Sequence, residues 1–292
     1  MPELPEVETM RRGIVATIGS RIIEVERCRL RARPIQMTPA GASFRRRLVG
    51  RTVTAVDRLG KRVVVRLDDG CSLVFEPRMT GLVLLADPPS REHLRLRIHL
   101  EGRKNSQRQE LMYWDRRGLG LVRVVNPAEL DALYGPERLG VDALSITCDA
   151  LREQLFHSRR PIKVALLDQR AVAGIGNLYA SEILHRASIH PARRCDRLRR
   201  DEWQQIHDCM LAVLDAAIRH EGSTLSDGTY RNALNKEGGF QNHHRVYDRD
   251  GKPCTGCGQT IVRVVQAQRS TFFCPSCQPK QPASASVRRA RR

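Results

Sequence analysis

The chain has 292 residues, with 50 Lys and Arg against 32 Asp and Glu and a formal net charge of +18. That length suits two domains, or one domain with an added module, and a 41% hydrophobic share is enough for a buried core. A basic excess of this size points to a polyanionic partner, nucleic acid first, while the lack of an 18-residue apolar run or a signal-peptide core sets membrane and secreted classes aside and predicts a soluble, cytoplasmic protein.

A short helix is predicted to begin near Pro5, because Pro and Glu suit a first turn and Val7, Met10 and Ile14 recur at helical spacing. Short Val-, Ile- and Leu-rich strands follow at Arg21–Glu26, Thr52–Arg58, Lys61–Leu67, Leu73–Glu76 and Leu82–Leu85. Leu94–Leu100 alternates strictly, which predicts a buried face and a face presenting Arg95, Arg97 and His99. Leu119–Val125 closes a region that reads as a sandwich or barrel.

The period becomes helical from about Ser145 to Glu221. Trp203, Ile206, Met210, Val213, Leu214, Ala217 and Ile218 form an apolar stripe on one long helix. Gly174-Ile-Gly-Asn177 interrupts two helical segments, and residues 222–244, rich in Gly, Asn, Ser and His, read as a long functional loop. The predicted division is an N-terminal domain over 1–127, a linker over 128–144, a helical domain over 145–249, a cysteine module over 250–278 and a disordered basic tail over 279–292.

Five of the nine cysteines are scattered and read as reduced thiols. The other four form Cys254-x2-Cys257-x16-Cys274-x2-Cys277, two knuckles that supply a closed thiolate shell for one structural zinc ion. Between them, Ile261–Val265 and Ser270–Phe273 read as a hairpin, with Arg269 projecting from the turn Gln266–Ser270.

Chemistry is also possible at the amino end. Removal of Met1 would leave Pro2 with a free secondary amine, whose pKa of about 7.7–8.0 keeps part of it unprotonated and nucleophilic near neutrality. Glu3 and Glu6 stand close enough to move protons. From the residues alone, ordinary helix capping is the favoured reading of this segment. Likewise Lys61 reads as a solvated strand-end charge and Met79 as a core residue, while Gly174–Asn177 fits a plain turn and a phosphate-binding helix start equally.

Pro2-Glu-Leu-Pro-Glu-Val-Glu-Thr9, Gly174-Ile-Gly-Asn177 and the cysteine module with Gln268-Arg-Ser-Thr271, in that order and spacing, resemble the formamidopyrimidine-DNA glycosylases. The resemblance implies an α+β protein: an N-terminal β-sandwich, a helix–two-turn–helix domain and a C-terminal zinc β-hairpin, with lesion-bearing duplex DNA between them. It implies a monomer that excises oxidised purines and then cuts the strand. Pro2 matches the nucleophile, Glu3 the acid/base residue and Glu6 its supporting carboxylate. Lys61 matches the lysine of β-elimination, and Asn177 and Arg269 match phosphate binders, with Arg269 also acting in δ-elimination. Met79 matches the wedge that fills the flipped-out base's place, and Arg117 the arginine facing the orphaned cytosine. Leu119, His93 and Lys163 join the DNA-contacting set. The loop near Ser223–Phe240 matches the segment that closes on the flipped base.

Three positions depart from the family pattern. Leu119 replaces an aromatic wedge, Gly118 a basic residue, and Glu76 a phosphate-binding histidine, where a carboxylate should repel the backbone. Two other functions fit the same residues: an endonuclease VIII-like enzyme for oxidised pyrimidines, and a non-catalytic DNA-binding relative.

Overall fold

The structure, a computed structural model, describes residues 2–28, 33–102 and 108–280. The expected tail from residue 281 onward lies outside the described residues. Among the described residues two compact units form, and they do not follow chain order: those within 2–146, 169–176 and 214–243 make one, and those within 147–168, 177–213 and 244–280 the other. Among the described residues no helix is long and apolar enough to cross a membrane.

The first unit opens with helix α1 (Leu4–Gly13), capped by Glu3 and carrying Pro5 in its first turn. Two sheets follow. One runs β1-β7-β8-β6, built from β1 (Arg21–Arg27), β6 (Gly81–Leu84), β7 (Leu94–Glu101) and β8 (Arg108–Asp115). The other runs β2-β9-β5-β4-β3, built from β2 (Gln36–Thr38), β3 (Val53–Leu59), β4 (Arg62–Leu67), β5 (Ser72–Glu76) and β9 (Leu121–Val125). Pairing is antiparallel except between β2 and β9. Val7 and Met10 of α1 share one core with Val63 and Val65 of β4, Phe75 of β5 and Leu82 of β6. Helix α2 (Ala42–Leu48) was not predicted; neither was helix α3 (Pro127–Tyr134), which lies in the expected linker behind an Asn126/Glu129 capping box.

The alternation in β7 fails at one residue. Arg95 is buried, because the β7–β8 register shifts between Leu94 and Leu96 and the bulge turns its side chain inward. Its guanidinium donates to the Asp115 carbonyl at 2.8 Å, so a polar group sits inside with a partner. Arg97 and His99 keep the predicted outward placement and meet Glu26 and Glu110.

The second unit contains α4 (Cys148–Leu155), capped by the Thr147 side chain, α5 (Ile162–Leu166) and α6 (Asn177–Arg186). Helix α7 (Arg200–Arg219) begins there, and from Leu214 its residues belong to the first unit. The stripe from Trp203 to Ile218 is buried as its period predicts. Strands β10 (Val262–Gln266) and β11 (Arg269–Phe273) form the hairpin. Its turn is only Ala267-Gln268, both at positive φ (45° and 61°), the tight geometry whose twist matches the strands. Residues 222–244 are irregular apart from one turn of 3-10 helix at Phe240–His243.

Candidate active site

The amino end is packed rather than frayed. Pro2, Glu3 and Glu6 are all buried. The Glu6 carboxylate accepts the Glu3 N–H at 2.9 Å through one oxygen and the Ser223 N–H at 2.9 Å through the other. One carboxylate therefore ties the first turn of α1 to the start of the 222–244 loop. The Leu4 N–H donates to the Gly174 carbonyl at 3.1 Å. A Cβ at Gly176 would collide with the Glu3 carboxyl group, and Gly174, at φ 106°, lies against Leu4. These two glycines allow the backbone to approach the two residues that follow Pro2.

Behind this end, Glu8 anchors α1. Its carboxylate accepts from Arg11 (2.8 Å), Arg12 (2.8 Å) and Arg58 (3.1 Å), while Arg58 also pairs with Asp142. Burial alone would raise the Glu8 carboxyl, but the surrounding guanidiniums outweigh it and hold it down to about 2. Lys61 stands with Gly60 in the two-residue turn joining β3 to β4, not in the strand itself.

Met79 and Arg117 lie on two short loops joined by Asp115. This fully buried carboxylate accepts from the Thr80 hydroxyl, from the Arg117 N–H at 3.2 Å and from the Gly120 N–H at 2.8 Å. Met79 is 36% exposed, which rules out a core position. Arg117 is exposed and Leu119 half-buried. Gly118 has φ 61°, and a Cβ there would strike the Arg33 carbonyl, so a basic residue would not fit. His93 is half-buried, edge-on to Trp114 at 5.5 Å, with Nε2 3.0 Å from Glu92.

Glu76 is not an unmet charge. Its carboxylate accepts from Arg62 (3.0 Å), from the Tyr134 hydroxyl (2.8 Å) and from Arg123. Burial pushes its carboxyl upward, but Arg62, Tyr134 and Arg123 hold it below the usual carboxylate range. Tyr134 is pushed up to about 12 by burial and by Glu76. The expected repulsion of phosphate therefore meets a carboxylate already compensated by two arginines.

In the second unit, Asn177 starts α6 and is half-buried. Lys163 is only 1% exposed. Its ammonium donates to Asn177 Oδ1 (2.7 Å), the Ser270 carbonyl (2.9 Å) and Thr271 Oγ1 (2.7 Å), and Asn177 Nδ2 donates to the same carbonyl at 2.9 Å. Lys163 thus joins Asn177 to β11, whose first residue, Arg269, is exposed. The Sγ atoms of Cys254, Cys257, Cys274 and Cys277 all lie within 4.8 Å of one another. Four clustered thiols fit one tetrahedral zinc ion with no position left for substrate.

Three regions match profiles of known domains: the formamidopyrimidine-DNA glycosylase N-terminal domain over residues 1–122, the H2TH domain of the same enzymes over 136–229, and a zinc finger found in FPG and IleRS over 251–280. A formamidopyrimidine-DNA glycosylase of Chloroflexus aurantiacus is 40% identical over 95% of this chain and 98% of its own. The chain belongs to the formamidopyrimidine-DNA glycosylase family. The Lactococcus lactis enzyme is similar in structure. A mutant of it with Fapy-dG DNA gives a TM-score of 0.84 at 31% identity, covering 96% of this chain and 100% of that one. Its complex with abasic-site DNA gives 0.83 at 31%, covering 95% and 100%. A MutM complex with carbocyclic 8-oxo-G DNA gives 0.83 at 31%, covering 96% and 100%.

Against this formamidopyrimidine-DNA glycosylase frame, the residues not singled out from sequence are the ones that hold others. Asp115 organises the Met79 and Arg117 loops. Glu182, buried on α6, accepts the backbone N–H groups of Arg245, Val246 and Tyr247. Asp115 carried one readable signal, as the first polar residue after the apolar run Leu111–Trp114. Glu182 carried none that distinguishes it from a solvated helix charge.

Proposed function

We propose that this chain is a base-excision DNA glycosylase and lyase for oxidised purines, working through the α-amine of Pro2. The observation that carries this reading is the buried pair Glu3 and Glu6, placed beside residue 2 by a glycine segment shaped to the Glu3 carboxyl group. The same two carboxylates also form the reciprocal capping box of α1, Glu3 accepting from the Glu6 N–H and Glu6 from the Glu3 N–H, so they hold the first turn as well as standing beside residue 2. The relatives bound to Fapy-dG and 8-oxo-G DNA support the purine substrate, and the abasic-site complex supports the lyase step.

The chemistry follows from the amine. With Met1 removed, the Pro2 nitrogen bonds to the anomeric carbon as the glycosidic C–N bond breaks. The base departs with that electron pair and gains a proton. The ring oxygen then leaves the same carbon and is protonated, giving an iminium; Glu3 moves these protons, with Glu6 fixing its backbone. A secondary amine makes an iminium that is always cationic, which acidifies the neighbouring sugar C–H. Loss of that proton expels the 3′ phosphate, and a second elimination expels the 5′ phosphate, with Lys61 and Arg269 serving these steps. Asn177 and Arg269 hold the phosphates through side-chain donors, and Lys163 acts through Asn177. Met79 and Leu119 act as wedges in the gap left by the flipped base, Arg117 faces the orphaned cytosine, and His93 adds a backbone contact. Zinc supplies fold, not chemistry. The enzyme acts as a monomer.

Borohydride trapping tests this. Protein incubated with 8-oxoguanine opposite cytosine should give a covalent adduct that maps to Pro2, and Pro2→Gly should trap much less. An adduct formed only with thymine glycol would move the protein to the pyrimidine enzymes. Tight binding without any adduct would make it a non-catalytic clamp.

A further inference from the structure

The metal module has a side-chain neighbour outside its four ligands. His185 lies on α6, eight residues after Asn177 and three after Glu182. It is 6% exposed, and its Nε2 sits 3.5 Å from the Sγ of Cys254, itself 3% exposed. A shell of four thiolates around a dication carries two net negative charges. Its exposed sulfurs can be solvated, but Cys254 and Cys274 are buried and need N–H donors from the protein. Backbone supplies one to each: Gly256 N to Cys254 at 3.4 Å and Cys277 N to Cys274 at 3.5 Å.

The other ring nitrogen decides the tautomer. His185 Nδ1 is buried with no hydrogen-bond partner. A proton on Nδ1 would leave a buried donor unmet and would turn the Nε2 lone pair against the sulfur. A proton on Nε2 removes both problems and aims a donor at the thiolate. We infer that His185, as the Nε2–H tautomer, is an outer-sphere hydrogen-bond donor to the Cys254 thiolate and sets how firmly the module keeps its metal. Glu182 on the same helix fixes the segment entering the module, so α6 grips the cysteine module at two buried polar points. Donors to ligating atoms commonly govern metal retention.

The test uses the full-length, zinc-loaded protein and His185→Phe. Zinc transfer to 4-(2-pyridylazo)resorcinol is timed, and the thiolate-to-metal charge-transfer band is recorded after cobalt replaces zinc. Loss of the donor should release zinc about tenfold faster, the low end of what outer-sphere substitutions cost in affinity. It should also move the cobalt band to longer wavelength, because an unbonded thiolate gives up its electron more easily. Should the Phe variant not fold, His185→Met, which also lacks an N–H, takes its place with the same expectations. An unchanged release rate overturns the assignment, and so does faster release with an unmoved band, since that pattern is lost packing rather than a lost donor.

Discussion

Lys163 shows how burial changes the meaning of a charge. A lysine in a DNA-contacting set is expected to reach phosphate, yet this ammonium is enclosed and spent on Asn177, Ser270 and Thr271. A direct contact and a positioning role make different predictions. If Lys163 met phosphate, its removal would lower the salt dependence of binding by about one counterion. If it positions Asn177 and β11, removal weakens binding and leaves that slope unchanged. Lys163→Met should also cost about 2–3 kcal/mol of stability, because fully buried Thr271 Oγ1 and half-buried Asn177 Oδ1 both lose the ammonium while the Ser270 carbonyl keeps the Asn177 amide. Binding titrations at several salt concentrations, with a thermal melt, check both parts; a slope reduced by one would restore the direct contact.

At the level of elements, α1 is the piece on which the proposed chemistry depends, and ion pairs fix its orientation. The Glu8 carboxyl lies at about 2 in the folded protein against an ordinary 4.5, so its contribution is fully present above 4.5 and is lost as pH falls toward 2. A shift of that size corresponds to about 3 kcal/mol. Urea unfolding between about pH 5 and pH 3 should show wild type losing stability while Glu8→Gln changes less; parallel curves would mean the pairs hold nothing. This arrangement also marks what could be read from sequence. Periodicity placed α1, most strands and the α7 stripe, because burial of one face writes itself into the chain. The cysteine spacing located the thiol cluster because ligand geometry fixes it. Strand β8 was missed since its first half is charged, and Arg95 was turned outward because a bulge leaves no mark in the alternation. Arg58 as a partner of Glu8, Thr80 of Asp115, and the Arg245–Tyr247 backbone of Glu182 lie far along the chain, and single-sequence reading has no access to such pairs.

For the whole molecule, the governing quantity is charge. A net charge of +18 is compatible with DNA binding driven by counterion release, and also with a generally basic surface that grips no particular number of phosphates. Salt separates the two. If binding engages six to ten phosphates, the logarithm of Kd should rise against log salt with a slope of about 5 to 9, weakening affinity by about three to five decades between 50 and 200 mM. Arg288, Arg289, Arg291 and Arg292 all fall after residue 281, so deleting 281–292 removes four positive charges without touching Asn177, Arg269 or the cysteine module. The proposed contacts sit in the body of the chain, and the shortened protein should therefore keep nearly the full slope on lesion-bearing duplex. A slope that drops by three or four would assign the electrostatic grip to the terminal arginines. The folded body would then contribute selection of the damaged base, with attraction to DNA supplied by a segment that takes no part in the chemistry.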